Sequence, residues 1–459
     1  MESISFTRLI TGAKGELLNP SDLSIRVLWF EQRDRYLKFL QPENRTRENL
    51  EKVFNLLGKP ENIDSLRVDM SATLPFAGDM FSRTTIGHNV TICPEALMLS
   101  HGGLTLGDGA VIGSKSLLVT LGHPTHPTQR HLHKMGPIAI GDNVLLGSGS
   151  VVVNSGKAEP VRIGEGSITL PGTAITKDIP DYCVVNGANK IVLQGEQHFK
   201  PVNALNAHEC LSMQSRLTPE GLRLLAEALP EQDLKSDLTK SLDQPLSPDA
   251  KIYTVKSIAP SDALFEFFSQ TPRETLRICL VPGPVTVEGE IPVLKERMTL
   301  NQGSFIHTDP GGKINFQNWD LLAPRAKVIS KNGGVVNFDP EVWVGAGTSI
   351  VADGKAIKIG RGSILASGAV ITDDVPEWSV VVTGSKVVKS VSEDDIVKNL
   401  PEEWTKPALY YEAFASNSDV AKKMTPDERV AWVNERVEAI RAQEPARLKA
   451  AGCSNHLHR

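Results

Sequence analysis

Four histidines fall within one short stretch of the chain: His123, His126, His131 and His133, all between residues 121 and 139. An imidazole titrates near pH 6.5, so such a cluster can move protons at neutral pH or, as neutral rings, hold a metal ion. The first sits in Gly122-His123-Pro124-Thr125-His126-Pro127, with Arg130 three residues on. The stretch is polar and interrupts a strict pattern on either side. Loops held by a rigid frame are where chemistry concentrates.

The frame is a run of six-residue repeats. Before the histidines come Ile86-Gly-His-Asn-Val-Thr, Leu106-Gly-Asp-Gly-Ala-Val and Ile112-Gly-Ser-Lys-Ser-Leu; after them come Ile140-Gly-Asp-Asn-Val-Leu, Leu146-Gly-Ser-Gly-Ser-Val and Ile163-Gly-Glu-Gly-Ser-Ile. An aliphatic residue at every sixth position, followed by Gly and a small residue, fits a coil of three short flat strands with turned corners. Such coils stack into a parallel β-helix in which each turn touches its neighbours. The expected fold is mainly β: two tandem parallel β-helices with helical N-terminal, linker and C-terminal segments. The boundaries expected are a helical segment over 1–70, a first coil over 71–195, a helical linker over 196–250, a second, degenerate coil over 251–391, and a helical tail over 392–459. Thr218-Pro-Glu-Gly-Leu-Arg is the clearest helix start in the linker, with a capping Thr and a first-turn Pro. The two coils match as a duplication: Ile163-Gly-Glu-Gly-Ser-Ile-Thr-Leu-Pro-Gly-Thr-Ala-Ile corresponds to Ile359-Gly-Arg-Gly-Ser-Ile-Leu-Ala-Ser-Gly-Ala-Val-Ile.

Bulk properties narrow the class. A net charge of −5 argues against a dominant nucleic-acid surface. No apolar run approaches membrane-spanning length, and the first residues lack the blocks of a signal peptide. The five cysteines are scattered, without a CxxC pair or a disulfide framework. These features lead to the expectation of a reduced, cytoplasmic protein.

Over about residues 11–195 the chain resembles the maltose and galactoside O-acetyltransferase family of hexapeptide acyltransferases. The resemblance rests on Gly15-Glu-Leu-Leu-Asn-Pro-Ser-Asp, on Leu57-Gly-Lys followed by Leu74-Pro-Phe, and on His123-Pro-Thr-His-Pro-Thr-Gln-Arg at its spacing from Leu106. It implies a left-handed coil, acetyl-CoA as co-substrate, a carbohydrate or glycoconjugate acceptor, no metal, and a homotrimer with sites between neighbours. It further implies that His123 is the general base, that the Ser148 N–H faces the thioester oxygen, and that Ser148, Thr176, Lys177 and Lys190 contact the coenzyme. Asn19, Glu95, His126 and Arg130 fall on the acceptor side, and Glu95 can also orient or polarise His123. Three positions depart from the family pattern. Glu95 stands where the family has Asn, Asn19 where it has an acidic residue, and Leu145 where it has Trp.

The second coil has no counterpart of the histidine insert. Ser330-Lys-Asn-Gly-Gly-Val-Val runs straight on, Gly333 falls near the expected histidine, and His307 comes too early. This copy is expected to be structural or to bind acceptor. Other readings are a non-catalytic trimeric carbohydrate-binding scaffold, and acetylation of a sugar-nucleotide amine or an antibiotic hydroxyl. A metal enzyme like the γ-class carbonic anhydrases needs three converging imidazoles, and His101, His123 and His126 do not reproduce that spacing.

Overall fold

The computed structural model describes residues 84–100, 102–126, 130, 132–206, 209–229, 251–254, 284–290, 292–295, 298–301, 303–317 and 320–392, with short pieces at 17–18, 46, 48–49 and 67–68. The helical segment expected over 1–70 therefore lies mostly outside the described residues, as do residues 230–250 of the linker and the tail beyond Ser392.

The described chain is a parallel β-solenoid. Its aliphatic repeat positions point inward and stack: Ile86, Leu106, Ile140 and Ile163 are each at most 2% exposed and belong to one core. Full burial of one such side chain stabilises the fold by about 2 kcal/mol. The first set of turns builds three sheets. One holds Thr84–Ile86, Leu104–Leu106, Ile138–Ile140 and Val161–Ile163; a second includes Thr91–Ile92, Val111–Ile112, Leu145–Leu146 and Ile168–Thr169; a third holds Leu97–Leu99, Leu117–Val119, Val151–Val153 and Ala174–Ile175. Every pairing among these strands is parallel.

A second set of turns runs from Pro284–Gly289 to Lys386–Ser390 and shares no sheet with the first. It has its own core, which includes Phe316, Val328, Val344 and Ile350. Both sets end in the same device. Cys183–Asn186 pairs antiparallel with Lys190–Gln194, Ser379–Val382 pairs antiparallel with Lys386–Ser390, and each hairpin shifts register at the corresponding Val-Val step.

Between the two, Pro219–Ala228 is a helix whose N-cap Thr218 accepts from the Gly221 N–H at 3.1 Å. Leu225 of this helix packs with Leu145, Ile168, Leu193 and Leu217 on the outer face of the second sheet. The outer face of the third sheet is covered differently. Leu97, Leu99, Leu117, Val119, Val151 and Val153 form a cluster with Ala346, a residue of the second coil. The apolar outer face of the third sheet is thus covered within one chain.

Candidate active site

The histidine insert is a hairpin rather than a loose loop. Leu121–Gly122 pairs antiparallel with His133–Met135, and Leu17–Leu18 adds a strand on the other side. Its two ends are tied together where the Gly136 N–H donates to Thr120 O at 3.1 Å. Asn154, fully buried, holds the returning strand. Its Nδ2 donates to Pro137 O (2.7 Å) and Glu159 O (3.0 Å), and its Oδ1 accepts from the Lys157 N–H (2.8 Å). These bonds add side-chain partners to backbone groups beside the break in the repeat.

His123 sits at the start of this hairpin. Its Nδ1 donates to Leu132 O at 2.9 Å, which leaves the basic lone pair of the neutral ring on Nε2. Two rings make T-shaped contact with it: His133 at 4.7 Å and Trp343 at 4.8 Å between centroids. Desolvation by this packing pulls the His123 pKa down to about 4; the backbone oxygens of Leu132 and Arg130 oppose the shift, and the Arg130 charge adds to it. The residue as a whole is half-buried, while its ring is enclosed by this packing.

Arg130 joins the insert to the second coil. It is 2% exposed, and its guanidinium lies 5.6 Å from the Trp343 ring centroid. Nε donates to Thr125 O within the hairpin (3.1 Å), one terminal nitrogen to Glu341 O (3.2 Å), and the other to Gly362 O (2.6 Å). The Glu341 side chain is buried beside these contacts and pairs with Arg361 at 3.0 Å through one oxygen. Burial pushes its pKa up to about 7 against the pull of Arg361 and Arg130.

The coenzyme candidates group at the last turn of the first coil. Asn189 Oδ1 accepts from the N–H groups of Thr176 (2.8 Å) and Lys177 (3.1 Å), so Lys190 stands beside that pair. All three candidates are exposed. Ser148 is an exposed corner residue leading into the third sheet. Gly147 and Gly149 on either side donate to Thr169 O and Ser114 O, whereas the Ser148 N–H meets no acceptor among the described residues. A donor so placed is open to an anionic oxygen.

Glu95 shares that corner two turns away, with φ 57°, stacked with Lys115, Gly149 and Gly172 in the same left-handed conformation. The insert leaves from the other end of the third sheet. Ser148 and Glu95 therefore lie at the opposite edge of that sheet from His123 in the chain's own first coil. Asn19 lies outside the described residues; its neighbours Leu17 and Leu18 pair with Lys134 and His133. His126 and His133 are buried at 1% and 2% exposure, which separates them from solvated loop histidines. His131 lies outside the described residues.

The second coil passes the corresponding point without an insert. Gly333 has φ 73° in a tight turn closed by Ser330 Oγ donating to Gly334 O at 2.6 Å. His307 has both nitrogens engaged, with Glu288 at 2.8 Å and Asp309 at 2.9 Å, so neither is left to accept a substrate proton. Among the described residues no three His, Cys, Asp or Glu side chains are grouped to hold a metal ion, and no helix is long and apolar enough to cross a membrane.

Reading the residues alone missed Trp343, Glu341 and Asn154. Trp343 belongs to a repeat turn of a coil without the histidine insert, and nothing in a six-residue period tells which turn of one coil meets the insert of another. Asn154 carried one faint signal, a polar residue at the end of the Val151-Val-Val strand.

Comparison with known proteins gives the following. No protein-family model matches the chain. A Staphylococcus aureus (strain MRSA252) protein whose name assigns it to the acetyltransferases is 34% identical over 140 residues, 30% of this chain and 68% of that one. Galactoside O-acetyltransferase of Escherichia coli (strain K12) is 36% identical over 108 residues, 23% of this chain and 51% of that one. A solved hexapeptide-repeat acetyltransferase of Vibrio cholerae, complexed with acetyl-CoA, is 22% identical, covers 39% of this chain and 94% of that chain, and superimposes with a TM-score of 0.31.

Proposed function

The chain belongs to the hexapeptide-repeat acetyltransferases, the family that includes galactoside O-acetyltransferase, and from that premise we propose that it moves acetyl from acetyl-CoA to a hydroxyl of a sugar or glycoconjugate with His123 as general base. The observation that carries this reading is the His123 ring itself. Its Nδ1 is tied to Leu132 O, and its low pKa keeps it neutral at pH 7 with the lone pair on Nε2.

In this reading the acceptor oxygen attacks the thioester carbonyl as Nε2 takes its proton. The new C–O bond forms, the C–S bond breaks, and the proton passes from Nε2 to the leaving sulfur. The enzyme is acylated at no stage. An imidazole of low basicity holds that proton only in passing, helped by the carbonyl oxygens of Leu132 and Arg130.

The chemistry of the coenzyme fits the exposed end of the first coil. Lys177 and Lys190 offer cations to its phosphates, and Thr176 lines the same turn. Ser148 serves as oxyanion donor through its N–H; because it lies across the third sheet from His123, it meets a thioester there only from another coil. Glu95, at the same corner, falls on the acceptor side, with His126 and Arg130 beside the base and Asn19 near the hairpin. The reading includes two tandem left-handed β-helices, a cytoplasmic location and, by resemblance, a homotrimer. Such a trimer uses surfaces other than the third-sheet face that the second coil covers.

The test is acceptor-dependent release of free thiol from acetyl-CoA by the full chain, with a panel of sugars and glycans. A non-catalytic carbohydrate-binding scaffold would bind members of the panel and release no thiol.

A further inference from the structure

We propose that the second coil contributes to the site of the first within the same chain, and that Trp343 is a positioning residue for His123. The inference rests on the reading of His123 as the base.

Three sets of contacts support it. The Trp343 ring meets the His123 ring at 4.8 Å and 82°. Arg130, on the insert, donates to Glu341 O and Gly362 O of the second coil while lying over Trp343. At the other edge of the third sheet Arg325 donates to Ser116 O at 3.1 Å. There the left-handed corners at Gly347 and Gly368 approach so closely that an added Cβ would meet Val151 Cγ2 at 3.1 Å or Ala174 Cβ at 3.2 Å. Contact thus runs from one edge of the third sheet to the other, with Ala346 packed on Leu97, Leu117, Val119 and Val151 between.

Register shows what has been divided between the coils. Leu145 pairs with Ile168, and Trp343 pairs with Ile364. Ile168 and Ile364 hold the same place in the duplicated segment, so Trp343 is the counterpart of Leu145. The first coil has the imidazole and an aliphatic residue at this position. The second has the indole and, at Gly333, a tight turn where the first has its insert. Each coil carries the part that the other lacks, and the fold brings the two parts into contact.

The physical consequence is positional. Hydrogen bonds to backbone oxygens hold the edge of an imidazole and leave its faces to be fixed by packing. A T-shaped indole contact holds the ring from one side and keeps water off that side. Both effects fix where Nε2 stands when the acceptor arrives, and misplacement of a reacting group by about 1 Å can cost up to a hundredfold in rate. The charged and titratable groups around the ring are Arg130 and His133 from the insert and Glu341, with its partner Arg361, from the second coil.

The experiment uses full-length chains. Trp343→Leu installs the residue that the first coil has at this place. It is expected to lower kcat by about tenfold or more with the KM for acetyl-CoA changed less than about twofold. It should also move the acid limb of the pH profile upward toward about 6.5, because the ring becomes hydrated. Trp343→Phe should restore most of the rate and the original profile. Co-expressed and co-purified His123→Ala and Trp343→Leu chains should show no more activity than the Trp343→Leu chains contribute alone, since each site draws both residues from one chain. Should the Leu chain fail to fold, Trp343→Met takes its place: a kcat lowered about tenfold with the KM for acetyl-CoA little changed supports the inference, and a wild-type kcat overturns it. Activity of the mixed chains approaching wild type would mean that the two residues meet between chains. A wild-type rate in Trp343→Leu beside an inactive His123→Ala would overturn this inference alone. A fully active His123→Ala would overturn the reading on which it rests.

Discussion

The guanidinium of Arg130 and the indole of Trp343 lie 5.6 Å apart, one on the histidine insert and the other on a repeat turn of the second coil. Arg130 donates to three carbonyl oxygens from a position almost without solvent, and two of them belong to that second coil. Arg130→Met should therefore take their partner from two buried oxygens, Glu341 O and Gly362 O, and from the half-buried Thr125 O, and cost about 3 kcal/mol or more. The urea midpoint of unfolding reads this loss. Arg130→Lys should not restore it, because one ammonium cannot reproduce a planar fork. An unchanged midpoint in Arg130→Met would show that the clasp contributes nothing.

The pH dependence follows from His123. Its folded-state pKa of about 4 lies below the ordinary 6.5, so the ring is neutral, the form the proposed base requires, from about pH 4 upward. Activity should fall only as pH drops through about 4, well below the limb of an exposed histidine. The same shift makes the unfolded chain bind more protons between about 4 and 6.5, so this group adds stability as pH rises through that window. An acid limb of kcat/KM near 6.5, in enzyme still folded by circular dichroism, would contradict the enclosed ring.

Glu341 has the opposite sign. Burial raises its pKa from 4.5 to about 7, so the folded chain holds the extra proton and this contribution is lost as pH rises between those values. Glu341→Gln keeps the shape and carries no charge. The variant should melt close to wild type at pH 5 and above it at pH 8.5. Equal melting temperatures at both values would remove the buried-carboxyl account.

The repeat period made the solenoid legible, because an inward aliphatic residue at every sixth position has few other uses. The insert was legible for the same reason: a break in a strict period is conspicuous, and His123 stands at its start. What the residues did not disclose was contact between turns distant in sequence. The six-residue rule fixes which side chains face inward and says nothing about which outer face meets which. Trp343, Glu341 and the covering of Leu117 and Val151 by Ala346 all lie on outer faces. The burial of His126 and His133 escaped for a related reason, since composition alone does not show that the insert folds as a hairpin under the second coil.

The coenzyme end of the first coil makes a separable prediction. Replacing Lys177 and Lys190 together by Ala should raise the KM for acetyl-CoA roughly three- to tenfold, the scale of two exposed cations. The KM for acetyl-pantetheine, which lacks the nucleotide phosphates, should not change, nor should kcat. A similar rise for both donors would place the two lysines elsewhere than at the phosphates.

The central claim is that His123 takes the acceptor proton, and one comparison tests it most directly. Thiol release from acetyl-CoA, started by adding acceptor, is followed for wild type and His123→Ala under the same conditions, with coenzyme binding measured in both by calorimetry. The account predicts acceptor-dependent release by wild type, a rate at least about a hundredfold lower in the variant, and coenzyme affinity preserved. A variant that binds acetyl-CoA and turns over at the wild-type rate would contradict it.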